Sequence, residues 1–366
     1  MVSRTFNAVK FIPQNDTGFG TTVRKRVSEY FKTKNISRKG DYRIWIKVII
    51  LPSLYLAPFA IILSNGFYGS SWAFYSLWVL MGIGLAGCGL GIMHDACHGA
   101  LSKNQKLNNF IGELILNLSA GSSINWKIQH NVLHHSFTNI DGLDEDIEPH
   151  GLMRFSPHQP AKPFYRFQSV YAWFLYGLMT FGWATTKDFK QLSRYNAKGL
   201  IKQQGATYRK EMIRLIIQKV LYYSFFIALP LFLVNMPWWH VIIGWFCMHF
   251  VAGLILGCVF QPAHVVPTSE YPLPDSDNNV DGDLAKHQLL TTTNFAPSNR
   301  LLSWYVGGLN YQIEHHLFPT MCHVHHREVS KIVKRTAEEF GLPYYSQSSF
   351  FGALVNHAKM LHKLGK

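Results

Sequence analysis

Charge is what this sequence has least of. Asp, Glu, Lys and Arg make up only 15% of its 366 residues, against roughly 25% in an ordinary soluble domain. Acidic residues are the scarcer kind, 21 against 35 Lys plus Arg, which leaves a formal net charge of +14. Cysteine is sparse as well. Five in a chain of this length is few and odd, and Cys88, Cys247 and Cys258 lie inside apolar runs. That excludes a disulfide scaffold and suits a reducing or lipid environment. No internal period is present, which excludes collagen-like and repeat architectures, and 48% hydrophobic residues exclude disorder. A nucleic-acid binder would not usually dilute its positive charge with 26 Phe, 17 Tyr and 10 Trp. What remains is a basic membrane protein with no nucleic-acid partner.

The missing charges are missing in two places. Val48 to His94 is a run of 47 residues without Asp, Glu, Lys or Arg, and Val220 to Ser269 is a run of 50. A transmembrane helix needs about 20 apolar residues, so each window holds two helices and a turn. Ser64-Asn65-Gly66 through Gly69-Ser70 breaks the first window, and Asn235-Met236-Pro237 breaks the second. The expected spans are about 44–64, 71–93, 217–235 and 239–260. Pro52, Pro58 and Pro230 fall within them, as membrane helices tolerate.

Basic residues set the expected orientation. Segments 1–43, 94–213 and 261–366 hold 32 of the 35 Lys and Arg, and the connectors near 65–70 and 235–238 hold none. The positive-inside rule then makes both termini and the long middle segment cytoplasmic. No signal peptide is expected, because 43 largely polar residues precede the first span. Residues 1–43 read as a basic arm able to lie on anionic lipid, 44–335 as the membrane domain, and 336–366 as a cytoplasmic tail. Phe167 to Thr186 is a further uncharged stretch of 20 residues. Its Gln, Ser, Thr, Trp and Tyr content predicts an interfacial or packed helix rather than a fifth span.

Against this background the 18 histidines stand out. Three clusters hold seven of them: His94-Asp95-Ala96-Cys97-His98, His130-Asn131-Val132-Leu133-His134-His135, and Gln312-Ile313-Glu314-His315-His316. Histidines four apart share one helical face, as two ligands of one metal must. Gln312 stands three and four residues before its pair, again on one face. One such pair arises easily by chance, and His150, His158, His240, His357 and His362 read as isolated polar side chains. Three clusters returned to one membrane face are not explained that way. Imidazole suits Zn, Cu, Fe and Ni, and seven exceed what one metal can use. Two metals sharing them, with Gln312, is the simplest arithmetic. A redox-active pair beside the membrane points to oxygen chemistry on a lipid chain.

HDACH, HNVLHH and QIEHH, in that order and topology, resemble the three histidine boxes of the membrane fatty-acid desaturases, over a stretch from the first span to about residue 335. Gln at the head of box three, and the NIDGLDEDIE segment from Asn139 to Glu148, are similar to the front-end subgroup, which places a double bond between an existing one and the carboxyl end. The resemblance implies an all-α membrane protein: four transmembrane helices in two hairpins, with a cytoplasmic helical cap holding a non-haem di-iron site. Its implied ligands are His94, His98, His130, His134, His135, His315 and His316, with Gln312, and with His264 just past the last span. His287, His323, His325 and His326 are weaker candidates. Asp95, Asp141, Asp144, Asp146 and Glu314 are candidates for fixing ligand tautomers, with solvated loop carboxylates the competing reading of the box-two run.

The implied reaction takes two hydrogens from adjacent carbons of an acyl chain, as acyl-CoA or membrane lipid, with O2 as co-substrate. Many front-end relatives carry a fused cytochrome b5 domain marked by HPGG. That motif is absent here, so electrons are expected from a separate carrier, ferredoxin or cytochrome b5, steered by the basic face. Lys and Arg of the 187–214 stretch are expected near a phosphate-bearing headgroup such as CoA. A lipid hydroxylase or sphingolipid desaturase with the same site is the near alternative. A histidine-rich metal transporter is the distant one, although it would place its ligands in mid-span, where only His249 lies.

Overall fold

A computed structural model describes residues 9–12, 18–148 and 151–366. His150 and parts of the amino-terminal arm lie outside the described residues. Four helices are long and apolar enough to cross a bilayer: Tyr42–Leu63, Ser71–Cys97, Tyr208–Leu233 and Trp238–His264. Each overlaps one expected span, the first ending one residue short of it and the third two residues short. The third begins nine residues earlier than expected, because the helix continues through Arg209, Lys210 and Arg214 before it turns apolar. Asp41 and Ser70 cap the first two, accepting hydrogen bonds from the Arg43 and Ala73 backbone N–H groups.

The two hairpin turns meet. The side chain of Asn65 donates to the Leu233 carbonyl at 2.9 Å and accepts from the Asn235 N–H at 2.7 Å, so the two connectors lacking Lys and Arg share one end of the bundle. Small residues let the spans close up. A Cβ at Gly84 would lie 2.5 Å from the Tyr55 backbone nitrogen, and one at Gly82 would lie 2.6 Å from the Met248 carbonyl oxygen. His249, the mid-span histidine, is satisfied there: its Nε2 pairs with the Tyr222 hydroxyl at 2.6 Å and its Nδ1 with Thr180 at 3.2 Å.

The 167–186 stretch forms two short helices, Gln168–Gly177 and Met179–Gly182, followed by a π-helical turn, Trp183–Lys187. They pack across the fourth span, with the Tyr176 and Gly177 carbonyls against Gly253. The described helices near both ends pack against the rest of the protein. Helix Phe19–Lys34 buries Phe19, Val23, Val27 and Phe31 in the same cluster as Val329, Val333 and Ala337 of helix His326–Glu339, and Arg26 pairs with Glu339 at 2.6 Å. Its apolar stripe therefore faces protein. Helix Phe350–Leu364 tucks beneath Gln168–Gly177, where His357 takes the Tyr176 hydroxyl at 2.6 Å and the Val265 carbonyl at 2.8 Å. Residues 336–366 are thus packed structure rather than a loose tail.

Candidate metal centre

Four segments deliver the nitrogen donors to one place. Box one closes the second span, where the α-helix widens into a π-helical turn over Gly89–Met93 and resumes at His94–Cys97. Box two lies on a helix capped by Ser122 whose Lys127–His134 portion is again π-helical. Box three is the buried helix Gln312–Leu317, and His264 ends the fourth span. π turns interrupt α-helices mostly at functional sites, because the wider turn re-aims side chains.

The rings fall into groups whose ligand atoms lie within 4.8 Å of one another: His94, His98, His130 and His315; His134, His264 and His316; and His135, His315 and His316. His130 Nε2 is 2.9 Å from His94 Nε2 and 3.2 Å from His135 Nε2. The box-two pair remains together, with ring centroids 5.2 Å apart and stacked, and Asp146 within 3.5 Å of both Nδ1 atoms. Each ring also reaches a different neighbour: His130 joins box one, and His134 joins His264 and His316. His94 and His98 also share a group.

Burial, reinforced by the neighbouring imidazoles, pushes His98, His135, His315 and His316 well below the usual histidine range. They are therefore neutral, the form that coordinates metals. His134 goes the other way. Burial lowers it, but the Asp144 and Asp146 carboxylates outweigh that and pull it up to about 9. The donor chemistry fits a metal. His98, His264, His315 and His316 each have a buried Nε2 with no hydrogen-bond partner, as do Nδ1 of His135 and Nε2 of Gln312. Orphaned buried donors or acceptors cost about 1–3 kcal/mol each, and His98, His264, His315 and His316 carry theirs within the grouped rings, which suits coordination. An imidazole-rich set selects Zn, Cu, Fe or Ni over Mg or Ca.

Residues 70–348 match the family model for fatty acid desaturases. The chain belongs to that family. It is 31% identical to the sn-1 linoleoyl-lipid 6-desaturase of Arthrospira platensis, over 95% of this chain and 92% of that protein. Identity to the enzyme of the same name from Synechocystis sp. is also 31%, over 99% of each. With the acyl-lipid (8-3)-desaturase of Physcomitrium patens it is 32%, over 98% of this chain and 74% of the relative. These relatives place it among the membrane desaturases of front-end type, oxidoreductases with a histidine-ligated metal site.

Within the desaturase, the carboxylates expected behind the ligands divide. Asp144 reaches His134 Nδ1 at 3.1 Å, and Asp146 lies 3.5 Å from Nδ1 of both His130 and His134 while accepting from Gln129. The box-two run is therefore not a solvated loop. Asp95 supports no box histidine. Pointing away from His94, it accepts from His323 Nδ1 at 2.8 Å and from the Cys322 thiol at 2.9 Å. Glu314 is bound by Asn294 at 2.8 Å and Tyr344 at 3.0 Å, and burial raises it to about 7. Asp141 keeps a buried oxygen with no hydrogen-bond partner and touches no ligand ring.

Of the weaker histidine candidates, His323 joins Asp95, His325 faces the Lys39 carbonyl and His287 stacks on Phe11. His326 bonds the Gly308 carbonyl through Nδ1, with its ring 6.2 Å from that of His315. A cavity of about 60 Å3 opens onto His130, His134 and His264, walled by Trp126, Trp183 and Phe260. Lys187 is the one cation in its lining. The partner of Lys47 escaped the sequence reading. Lys47 marked the edge of a charge-free window, and it is buried inside the first span with Nζ 2.6 Å from His323 Nε2.

Proposed function

We propose that this protein desaturates an acyl chain of a membrane lipid at a di-iron centre on its cytoplasmic side. His94, His98, His130, His134, His135, His264, His315 and His316 are the ligands, with Gln312 completing the set. The observation that carries this reading is the convergence of eight histidines, seven of them buried, in three overlapping groups, more donors than one metal can take. Iron bound there would supply O2 activation, using two electrons from a separate carrier such as ferredoxin or cytochrome b5. The chain's own residues do the rest. Asp144 and Asp146 hold ring tautomers, and Trp126, Trp183 and Phe260 give the acyl chain a dry, apolar wall beside the ligands. Lys187 is the cation placed to meet the carboxyl-derived end of the chain.

The relatives' names, linoleoyl-lipid and acyl-lipid desaturase, favour a membrane lipid over acyl-CoA. In this reading 44–335 is the catalytic unit, and helices Phe19–Lys34 and Phe350–Leu364 pack against it on the cytoplasmic side. The test is expression in a host fed defined unsaturated fatty acids, with the new double bond located by mass spectrometry, alongside metal analysis of the purified protein. A new bond on the carboxyl side of an existing one, with two irons per chain, is the expected result. A hydroxylated product, or zinc in place of iron, would overturn it.

A further inference from the structure

Next to box one lies a second cavity that desaturation leaves unused. It measures about 170 Å3 and draws its lining from three separate stretches: Arg43 and Lys47 of the first span, Arg300 and Trp304 of helix Arg300–Tyr305, and His323 with Arg327. No Asp or Glu lines it. Four cations and no anion in a space of that size is a costly arrangement unless something negative enters it.

The charges are unequally balanced. Arg43 is fork-bonded to Asp41 through Nε at 3.0 Å and Nη2 at 2.8 Å. Lys47, only 2% exposed, donates to His323 Nε2 at 2.6 Å, and His323 Nδ1–H donates to Asp95 at 2.8 Å. That chain locks the Lys47 ammonium in place and answers its charge from a distance. Arg300 and Arg327 have no ion-pair partner among the described residues. Two guanidinium forks therefore share the cavity with a fixed ammonium. Planar forks match phosphate oxygens in pairs, and lysine serves as a point charge beneath them.

The surroundings say where the anion comes from. Lys47 lies one turn inside the first span, and its neighbours Tyr42, Trp45, Ile46 and Ile49 are exposed. Leu301, next to Arg300, is 77% exposed. Aromatic and aliphatic side chains exposed around a ring of cations mark the headgroup level of a bilayer. We propose that this cavity binds the phosphate of a membrane phospholipid, whose acyl chains run along Trp45, Ile49 and Leu301. The site is independent of which acyl chain is oxidised, and its test does not read turnover, so its failure would leave the desaturase reading standing.

The experiment uses the full chain purified in a neutral detergent, with thermal unfolding followed by tryptophan emission. Dioctanoyl phosphatidylglycerol is titrated in parallel with dioctanoylglycerol, which has the same chains without the phosphate, and with inorganic phosphate. Phosphatidylglycerol should raise the midpoint saturably and the other two should not. Arg300 and Arg327 have exposed side chains, so Arg300→Gln/Arg327→Gln should fold normally and weaken the apparent Kd about tenfold or more. Arg335→Gln, on an outer helix face, should bind like the unaltered protein. Equal stabilisation by dioctanoylglycerol, or unchanged affinity in the double variant, would overturn the phosphate site. An equal response to inorganic phosphate would overturn its assignment to lipid.

Discussion

Both carboxylate oxygens of Asp144 lie 3.1 Å from Nδ1 of His134. The same oxygens accept the backbone N–H groups of Asn139 and Asp146, each at 2.9 Å, so the carboxylate is fixed before it fixes the ring. The carboxylate thereby orients the His134 ring, whose centroid lies 4.7 Å from that of His264 and 4.9 Å from that of His316. An acidic stretch that could have been loop solvation is a support for one of the proposed ligands.

Asp144→Ala should therefore lower turnover roughly 10–100-fold, the usual cost of losing a carboxylate behind a ligating histidine. Iron content of the purified variant should fall with it. Asp141→Ala, three residues away and bonded to no ligand ring, should stay close to the parent in both measurements. Equal losses in the two variants would mean that loop charge matters rather than this hydrogen bond.

The spans were legible because a bilayer imposes a crude rule: two long windows without charge must cross, and Asn65 and Asn235 sit where they turn. The boxes were legible because coordination needs histidines at helical spacing. The π turn in the helix carrying box two was not legible. Nothing in HNVLHH announces it, so the way His130 reaches box one while His134 reaches His264 had to come from the backbone. What was hidden about Lys47 was its partner. The expected span of about 44–64 already included the lysine, but nothing in the sequence joins it to His323, 276 positions away. Asp95 was misjudged because adjacency to His94 in sequence says nothing about direction, and successive residues on a helix point apart.

The shared end of the two hairpin turns gives a topology prediction. Tyr68 is 94% exposed beside the first turn, and Lys202 is exposed at the far end of the middle segment. In a background without reactive native thiols, Tyr68→Cys and Lys202→Cys should label from opposite sides of sealed vesicles, with Lys202→Cys on the cytoplasmic side. Labelling of both from one side would remove the four-span topology.

Glu145 supplies a pH dependence. Burial raises its carboxyl, but the Arg194 fork at 2.6 and 3.0 Å and the Tyr195 hydroxyl at 2.6 Å outweigh burial and hold it below the ordinary range. A depressed folded value means that its stabilisation is present above the unfolded pKa of about 4.3 and is lost as pH falls through the folded value. The unfolding midpoint of the parent should drop on acidification below about pH 5. Glu145→Gln should start lower at pH 7 and lose less over the same range. Parallel curves for the two proteins would show that Glu145 contributes nothing through its charge.

Gln312 is the most exposed bet, because an amide oxygen is an uncharged and weaker ligand than imidazole. The residue is buried at the head of the box-three helix, and its Nε2 has no hydrogen-bond partner. Amide nitrogen and oxygen exchange places by a half-turn of the terminal group. The same half-turn would put an oxygen, a possible ligand atom, where the unpartnered nitrogen now lies. Were Gln312 only a hydrogen-bonding support, its loss would cost a fraction of the activity and leave both metals bound. As a ligand, it should behave differently in two substitutions. Gln312→Val offers no donor atom at all, so iron content should fall below two per chain and turnover should vanish. Gln312→His restores a donor on the same helical face, so it should hold more iron than the valine variant and keep measurable turnover. A valine variant with both irons and normal turnover would exclude Gln312 from the centre, and with it the best local mark of the front-end type in box three.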